Sequence, residues 1–331
     1  MLLYTMNCFK ITACALCLSL FAACAKNNDD PYRDGRIHIA AMNGPTMMGL
    51  GQLYNAVSND QYSKYTFTKE STPDAVVAGL ANGTFDAACL PANTAAIIFN
   101  TGNIDVKVAA INIFNALYVV QKAGTPAIAG IADLSGKTVY VTSQGSTPDV
   151  ALRHLLAKNN IDNVRFEFEV EGSTIAAGIK VANSKYDYAL LPQPAATVAT
   201  TGPGAAVEAF NLSDEWEKYN PESGIVTAVL VVRAAYLKNN RAAFEKFLED
   251  YRQSVEFVTD VNNLDMAAGY VVDMGIVPAL PLARTALPKC GIAYIDSIRM
   301  RNILSEFFQA LYEQNPRSIG GRLPADNFYY E

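Results

Sequence analysis

Two loops of this sequence, Asn43-Gly44-Pro45-Thr46-Met47 and Gln144-Gly145-Ser146-Thr147, set neutral donors and acceptors beside a glycine and just ahead of a helix signal. Two more do the same with proline, Pro91-Ala92-Asn93-Thr94 and Pro192-Gln193-Pro194. Amide and hydroxyl side chains so placed bind rather than react. The helix N-terminus that follows each loop adds unpaired N–H groups, and glycine lets the backbone come close to a ligand. The candidate contacts are Asn43, Gly44, Pro45, Thr46, Met47, Asn93, Thr94, Gly145, Ser146, Thr147 and Gln193, a set that suits a neutral or singly charged polar molecule. Each has a structural alternative: tight turns for Gly44 and Gly145, helix capping for Ser146 and Thr147, loop entry for Pro91 and Pro192.

Reactive constellations are not evident. The histidines are His38, in the first strand with no acidic partner evident beside it, and His154, within a helix four residues before Lys158 and read as surface or packing. No His/Cys metal spacing, nucleophile elbow or phosphate-binding P-loop occurs. The expectation is a protein that is not an enzyme and uses no metal or cofactor. Of six cysteines, Cys8, Cys14, Cys17 and Cys24 lie at the N-terminus. That leaves Cys89 and Cys290, either as one bridge or as small buried apolar residues. A net charge of −6 without a long Lys/Arg run argues against a nucleic-acid partner. With 50% apolar and 18% charged residues, the chain can bury a core.

The elements that position the loops follow from an internal repeat at an offset of 101 residues. It aligns Gly44 with Gly145, Phe67 with Phe168, Glu70 with Glu171, Asp86 with Asp187 and Leu90-Pro91 with Leu191-Pro192. Each copy reads as strand, glycine turn, helix, strand, helix, strand, which predicts a parallel sheet covered by helices. In such sheets ligands bind beyond the carboxyl ends of the strands, where the four loops lie. Apolar runs at 115–120 and 225–233 read as strands crossing between two lobes, and residues 235–312 read as mainly helical, packing back on the first lobe. The expected division is lobe 1 at 36–118 and 226–331 and lobe 2 at 119–225. At the N-terminus, Lys10, an apolar run over 11–20 and Phe21-Ala22-Ala23-Cys24 read as a lipoprotein signal over 1–24 with Cys24 as the lipidation site, and 25–35 as a tether.

Gly44-Pro45-Thr46, Leu90-Pro91-Ala92-Asn93, residues 133–139 (DLSGKTV), Leu190-Leu191-Pro192-Gln193-Pro194 and the closing run 318–330 together resemble the periplasmic binding proteins of nitrate, sulfonate, taurine and thiamine-precursor uptake. The resemblance covers roughly residues 36–330. It implies a two-lobed α/β fold of the second periplasmic-binding-protein type, each lobe a largely parallel sheet flanked by helices, joined by two crossing strands. It implies hinge closure on a small polar ligand, heteroaromatic or sulfonate-like, with Asn115 and Tyr118 of the hinge added to the contacts. The partners it implies are an ABC permease and, through it, its ATPase, for a monomer held outside the cytoplasm by lipid on Cys24, on the periplasmic side or the cell surface. Gln193 stands where related chains often carry Glu. Phe328 and Tyr329 are either cleft residues or a packing latch. An enzyme branch of the superfamily relies on a Cys-rich motif and several histidines that this chain lacks. The alternative function is a surface-interaction or receptor lipoprotein that uses the fold without transport.

Overall fold

The computed structural model describes residues 35–59, 64–221 and 223–331. The signal segment 1–24, Cys24 and the tether up to residue 34 lie outside the described residues.

Eleven strands and twelve α-helices are assigned among these residues, in chain order. The first half comprises β1 (Ile37–Met42), α1 (Pro45–Met48), α2 (Gly51–Ser58), β2 (Tyr65–Glu70), α3 (Pro73–Asn82), β3 (Ala87–Pro91), α4 (Ala92–Asn100), β4 (Val106–Phe114) and β5 (Leu117–Gln121). Then come β6 (Thr138–Thr142), α5 (Thr147–Lys158), β7 (Arg165–Glu169), α6 (Gly172–Gly178), β8 (Tyr188–Pro192), α7 (Ala195–Ala199), β9 (Val207–Asn211) and α8 (Leu212–Glu217). The last part holds β10 (Val226–Arg233), α9 (Ala234–Thr259), α10 (Leu264–Asp273), α11 (Leu280–Ala286), β11 (Ile292–Ile295) and α12 (Ser297–Gln314). Local chemistry sets many of these boundaries. Thr72 caps α3 by accepting from Ala75 N at 3.2 Å, Pro73 opens the helix and Gly83 closes it with a left-handed backbone.

The strands form two sheets, β11-β4-β10-β3-β1-β2 and β7-β6-β8-β5-β9. The repeat is visible in both. β1 lies between β2 and β3 and β6 between β7 and β8, all parallel, with Ile37 opposite Tyr65 and Thr138 opposite Arg165. Strands from outside the repeat complete each sheet in the antiparallel sense, β10, β4 and β11 in the first and β5 and β9 in the second. Each sheet is therefore mixed: a parallel βαβ half carries the loops, and an antiparallel half ties it to the rest of the chain.

The crossing points are shorter than the sequence suggests. Residues 117–121 belong wholly to the second sheet and β10 wholly to the first. Leu117 and Tyr118, expected at the end of lobe 1, pair with Pro192 and Leu191 of β8. One crossing is only Asn115-Ala116, and the other is the segment ending at Ile225. The two are stitched together: Asn115 N donates to Ile225 O at 3.0 Å, and Ile225 N donates to Asn115 Oδ1 at 2.8 Å. Asn115 has φ 57°, which Asn tolerates better than most residues. A side chain at Gly224 would meet Phe114 Cζ at 2.3 Å and Asn115 Oδ1 at 2.5 Å, so the crossing needs glycine there.

The C-terminal helices pack on the first sheet. Ser254 Oγ of α9 donates to Gly49 O at 2.8 Å, Tyr65 OH of β2 donates to Asp250 Oδ2 at 2.7 Å, and β11 extends the first sheet beside β4. The tail is a packing latch. Phe328 is fully buried between Phe99 and Phe308, with ring centroids 4.8 and 6.1 Å away. A continuous apolar core joins the two sheets on one side, where Trp216 of α8 meets Phe307 of α12 at 5.4 Å. Cys89 and Cys290 are free and buried.

Candidate functional site

The parallel halves of the two sheets point the carboxyl ends of β1, β2, β6, β7 and β8 toward a common region, and two cavities open there. The first, of about 260 Å³, is lined by Met42, Asn43, Gly44, Pro45 and Ser71 from the first sheet's loops and by Ile276 and Pro278 from the C-terminal layer. The second sheet contributes Thr142, Ser143, Val170, Glu171, Gly172, Ser173, Pro192, Gln193, Pro194, Ala195 and Val198. The second cavity, of about 610 Å³, is lined by residues including Thr72, Asp74 and Thr94 on one side and Gln144, Gly145, Ser146 and Glu169 on the other. Ser143 and Val170 border both.

The expected contacts divide accordingly. Asn43, Gly44, Pro45 and Gln193 share the first cavity, while Thr94, Gly145 and Ser146 line the second. Gly44 and Gly145 therefore do not face each other across one gap. Gly44 has φ 135° and ψ −148°, a conformation open essentially to glycine alone, and nothing lies within 4 Å of where its side chain would be.

Four expected contacts serve the scaffold. Thr46 and Met47 turn inward because Pro45 starts the single-turn α1 at once. The Thr46 hydroxyl donates to Met42 O at 2.7 Å, and Met47 is buried. Asn115 forms the crossing. Tyr118 is buried in the apolar cluster that also holds Tyr140 and Ile175, and its hydroxyl donates to Lys289 O at 3.4 Å. Burial raises the Tyr118 pKa, so it stays a neutral donor.

Asn93 and Thr147 are completely buried and bonded to one another. Asn93 Nδ2 donates to Gly145 O at 2.7 Å and to Ser318 O at 3.2 Å, and Thr147 Oγ1 donates to Asn93 Oδ1 at 3.1 Å. These residues clamp one sheet's loop on the other's. Ser146 occupies the N-cap position of α5 without capping it, because its hydroxyl donates instead to Thr142 O at 3.2 Å. The loop is held from inside the helix, where Asp149 Oδ2 accepts from Gly145 N at 2.9 Å and Asp149 Oδ1 pairs with Arg153 at 2.7 Å.

Gln193 is the most informative side chain. It is fully buried, its backbone N donates to Ala116 O beside the crossing at 3.1 Å, and its Oε1 accepts from Thr197 N at 3.1 Å and Thr197 Oγ1 at 2.8 Å. That fixes the amide with Nε2 at the other end, where it meets no partner among the described residues. Glu171 was absent from the sequence-derived contacts. Its Oε2 accepts from Ser173 Oγ at 3.0 Å, and it is the one charged side chain among the described residues lining the first cavity. The repeat pairs it with Glu70, the last residue of β2, and it lies just beyond the end of β7, so the carboxyl-end rule applied to the middle strand of each copy would have found it. Ile276 and Pro278 come from the helical layer, and no local pattern marks them.

The histidines are packed within the fold. His38 Nδ1 lies 2.9 Å from Thr66 Oγ1. His154 is buried against Trp216, ring centroids 4.8 Å apart, with Nε2 at 3.2 Å from Asn220 Nδ2. Burial, helped by nearby Lys158, lowers the His154 pKa to about 4. Among the described residues no group of three or more His, Cys, Asp and Glu side chains is placed to hold a metal ion, and no helix is long and apolar enough to cross a membrane.

A family model described as NMT1/THI5 like matches residues 66–261, more than half of the chain. The chain belongs to the NMT1/THI5-like family. Solved structures extend the likeness over nearly all of the body. An ABC transporter structure from Parabacteroides distasonis is 23% identical with a TM-score of 0.71, covering 90% of this chain and 99% of that one. The periplasmic aliphatic sulphonate binding protein SsuA from Escherichia coli is 13% identical with a TM-score of 0.68, covering 90% of this chain and 92% of that one. The periplasmic nitrate-binding protein NrtA from Synechocystis is 11% identical with a TM-score of 0.61, covering 81% and 75%. Curated proteins give no match. At these identities the structures establish the fold, and this NMT1/THI5-like chain has the fold of the periplasmic binding proteins.

Proposed function

We propose that this NMT1/THI5-like protein is the extracytoplasmic solute-binding component of an ABC import system and performs no chemistry on its ligand. The two sheets with their covering helices act as two lobes that hinge at Asn115-Ala116 and at the segment ending in Ile225. The ligand is a small polar molecule held in the first cavity, and the closed form delivers it to a permease and, through that, to its ATPase. Lipid on Cys24 tethers the monomer to the membrane. The observation that carries this reading is the first cavity itself, walled by strand-end loops of both sheets right beside the crossing. A ligand there contacts both lobes and so favours the closed state by its differential contacts.

The test is thermal denaturation of the purified protein with sulfonates, nitrate, thiamine and its pyrimidine precursor, nucleobases and amino acids. A true ligand at about a hundred times its Kd adds roughly 2.7 kcal/mol and raises Tm by a few degrees. Asn43→Trp, which puts a bulky ring at an exposed position of the cavity rim, abolishes that shift while leaving the unliganded Tm in place. Silence across the panel, in protein shown by native mass spectrometry to carry no co-purified ligand, overturns the reading and favours an interaction lipoprotein. Loss of radiolabelled palmitate from Cys24→Ala tests the anchor separately.

A further inference from the structure

The chain carries two Asn-Gly pairs, Asn43-Gly44 and Asn82-Gly83, and the fold places them in opposite situations. Asparagine followed by glycine can react with itself, because the glycine amide has no side chain beside it to hinder its approach to the asparagine side-chain carbonyl. Asn82 is held out of that reaction. It is the last residue of α3, its Oδ1 accepts from Thr84 N at 2.9 Å, and Gly83 closes the helix in the left-handed conformation. Asn43 stands past the end of β1, exposed, with its side chain bonded to no group among the described residues. The turn around it is held by Asn43 N donating to Glu70 O at 2.7 Å and by Met47 N donating to Gly44 O at 3.2 Å, and neither bond uses the Asn43 side chain or Gly44 N. Nothing lies within 4 Å of where a Gly44 side chain would be, so there is room for a ring to close there.

We propose that Asn43-Gly44 is a self-modification site on the rim of the first cavity, where Asn43 converts to aspartate and isoaspartate, and that Asn82-Gly83 is protected by its helix end. Gly44 N bonds to Asn43 Cγ and closes a succinimide ring. The proton it gives up passes through solvent to the side-chain amide nitrogen, the bond from Cγ to that nitrogen breaks, and ammonia leaves. Water then opens the ring. Attack at Cγ gives aspartate, and attack at the main-chain carbonyl gives isoaspartate, which adds a methylene to the backbone just before Gly44. Either product brings a carboxylate to a cavity whose other charged side chain among the described residues is Glu171. The charge of that cavity therefore changes with the age of the molecule. The reaction needs no ligand and is independent of the solute-binding role.

Peptide mass spectrometry of the full chain, incubated in mildly alkaline buffer for increasing times with and without guanidinium chloride, tests this. The readout is the mass gained when the amide becomes a carboxyl group, with isoaspartate separated from aspartate by chromatography. In the folded protein Asn43 converts at least about tenfold faster than Asn82, the scale of the hydrogen bond that Asn82 must first break. In guanidinium chloride the two rates converge. Asn43→Gln, a change at an exposed position, removes the signal from that peptide and leaves Asn82 as it was. Equal conversion of the two in the folded protein overturns the assignment. So does an unchanged Asn43 over a time in which the denatured chain converts. A difference in rate that persists in denaturant also overturns it, because the fold would then not be what selects the site.

Discussion

Asn93, at the start of α4 beside the first sheet, donates from Nδ2 to the carbonyl of Gly145, in the loop after β6 of the second, at 2.7 Å. Thr147 returns a hydrogen bond to Asn93 Oδ1, and both side chains are wholly buried. Polar groups that look like ligand contacts in sequence are thus engaged with each other, and the first cavity is lined instead by polar residues that include Gln193 and Glu171.

Asn93→Ala removes three hydrogen bonds and leaves the Gly145 and Ser318 carbonyls and the Thr147 hydroxyl short of a partner. A loss of about 2–3 kcal/mol in urea denaturation is expected, together with a larger radius of gyration in solution scattering as the lobes separate. An unchanged radius would show that the clamp does not hold them together.

Asn115 combines a left-handed backbone with a side-chain acceptor for Ile225 N. Asn115→Gly keeps the backbone and loses the acceptor, and should cost about 1 kcal/mol. Asn115→Val loses both and should cost more, because a β-branched residue strains at positive φ. Equal effects would mean that the backbone angle is not what selects Asn.

His154 is held neutral by burial, with a pKa near 4 in the folded protein against about 6.5 when exposed. Because the unfolded chain takes up the proton first, stability is fully present above about pH 6.5. It falls as the pH drops toward 4, by up to about 3 kcal/mol. The groups facing it from its own and neighbouring elements are Lys158, Trp216, Asn220, Ala310 and Glu313. Denaturation at pH 7.5 and pH 5 measures the slope, and His154→Gln should flatten it.

Burial pushes the Cys89 thiol up to about 12 and raises Cys290 as well. In a protein beginning at Gly35, neither should react with a thiol reagent until denaturant is added, when both should titrate. Rapid reaction of either in the folded protein would contradict its burial.

The sequence by itself determined the duplicated βαβ unit, because hydrophobic period, glycine and proline punctuation and capping are local signals that survive duplication. The offset of 101 carries β1 onto β6 and β3 onto β8. It also located the loops at the strand ends, including Asn43, Gly44, Pro45 and Gln193. It did not reveal β4, an apolar nine-residue strand outside the repeat, or that the crossing is two residues long, since strand pairing across the sheet fixes where one sheet ends and the next begins. Only the tertiary structure decided which loop groups bond to one another across the two sheets. Asn93, Thr147 and Gln193 are all neutral, buried and polar, and nothing in their types distinguishes them. The difference is whether a partner from the other sheet reaches each one: Gly145 and Thr147 reach Asn93, while Gln193 Nε2 meets no partner among the described residues, and Gln193 lines the first cavity with Glu171 and the distant Ile276 and Pro278. Hydrogen-bond satisfaction is a property of the assembled chain, and no window of sequence contains both partners.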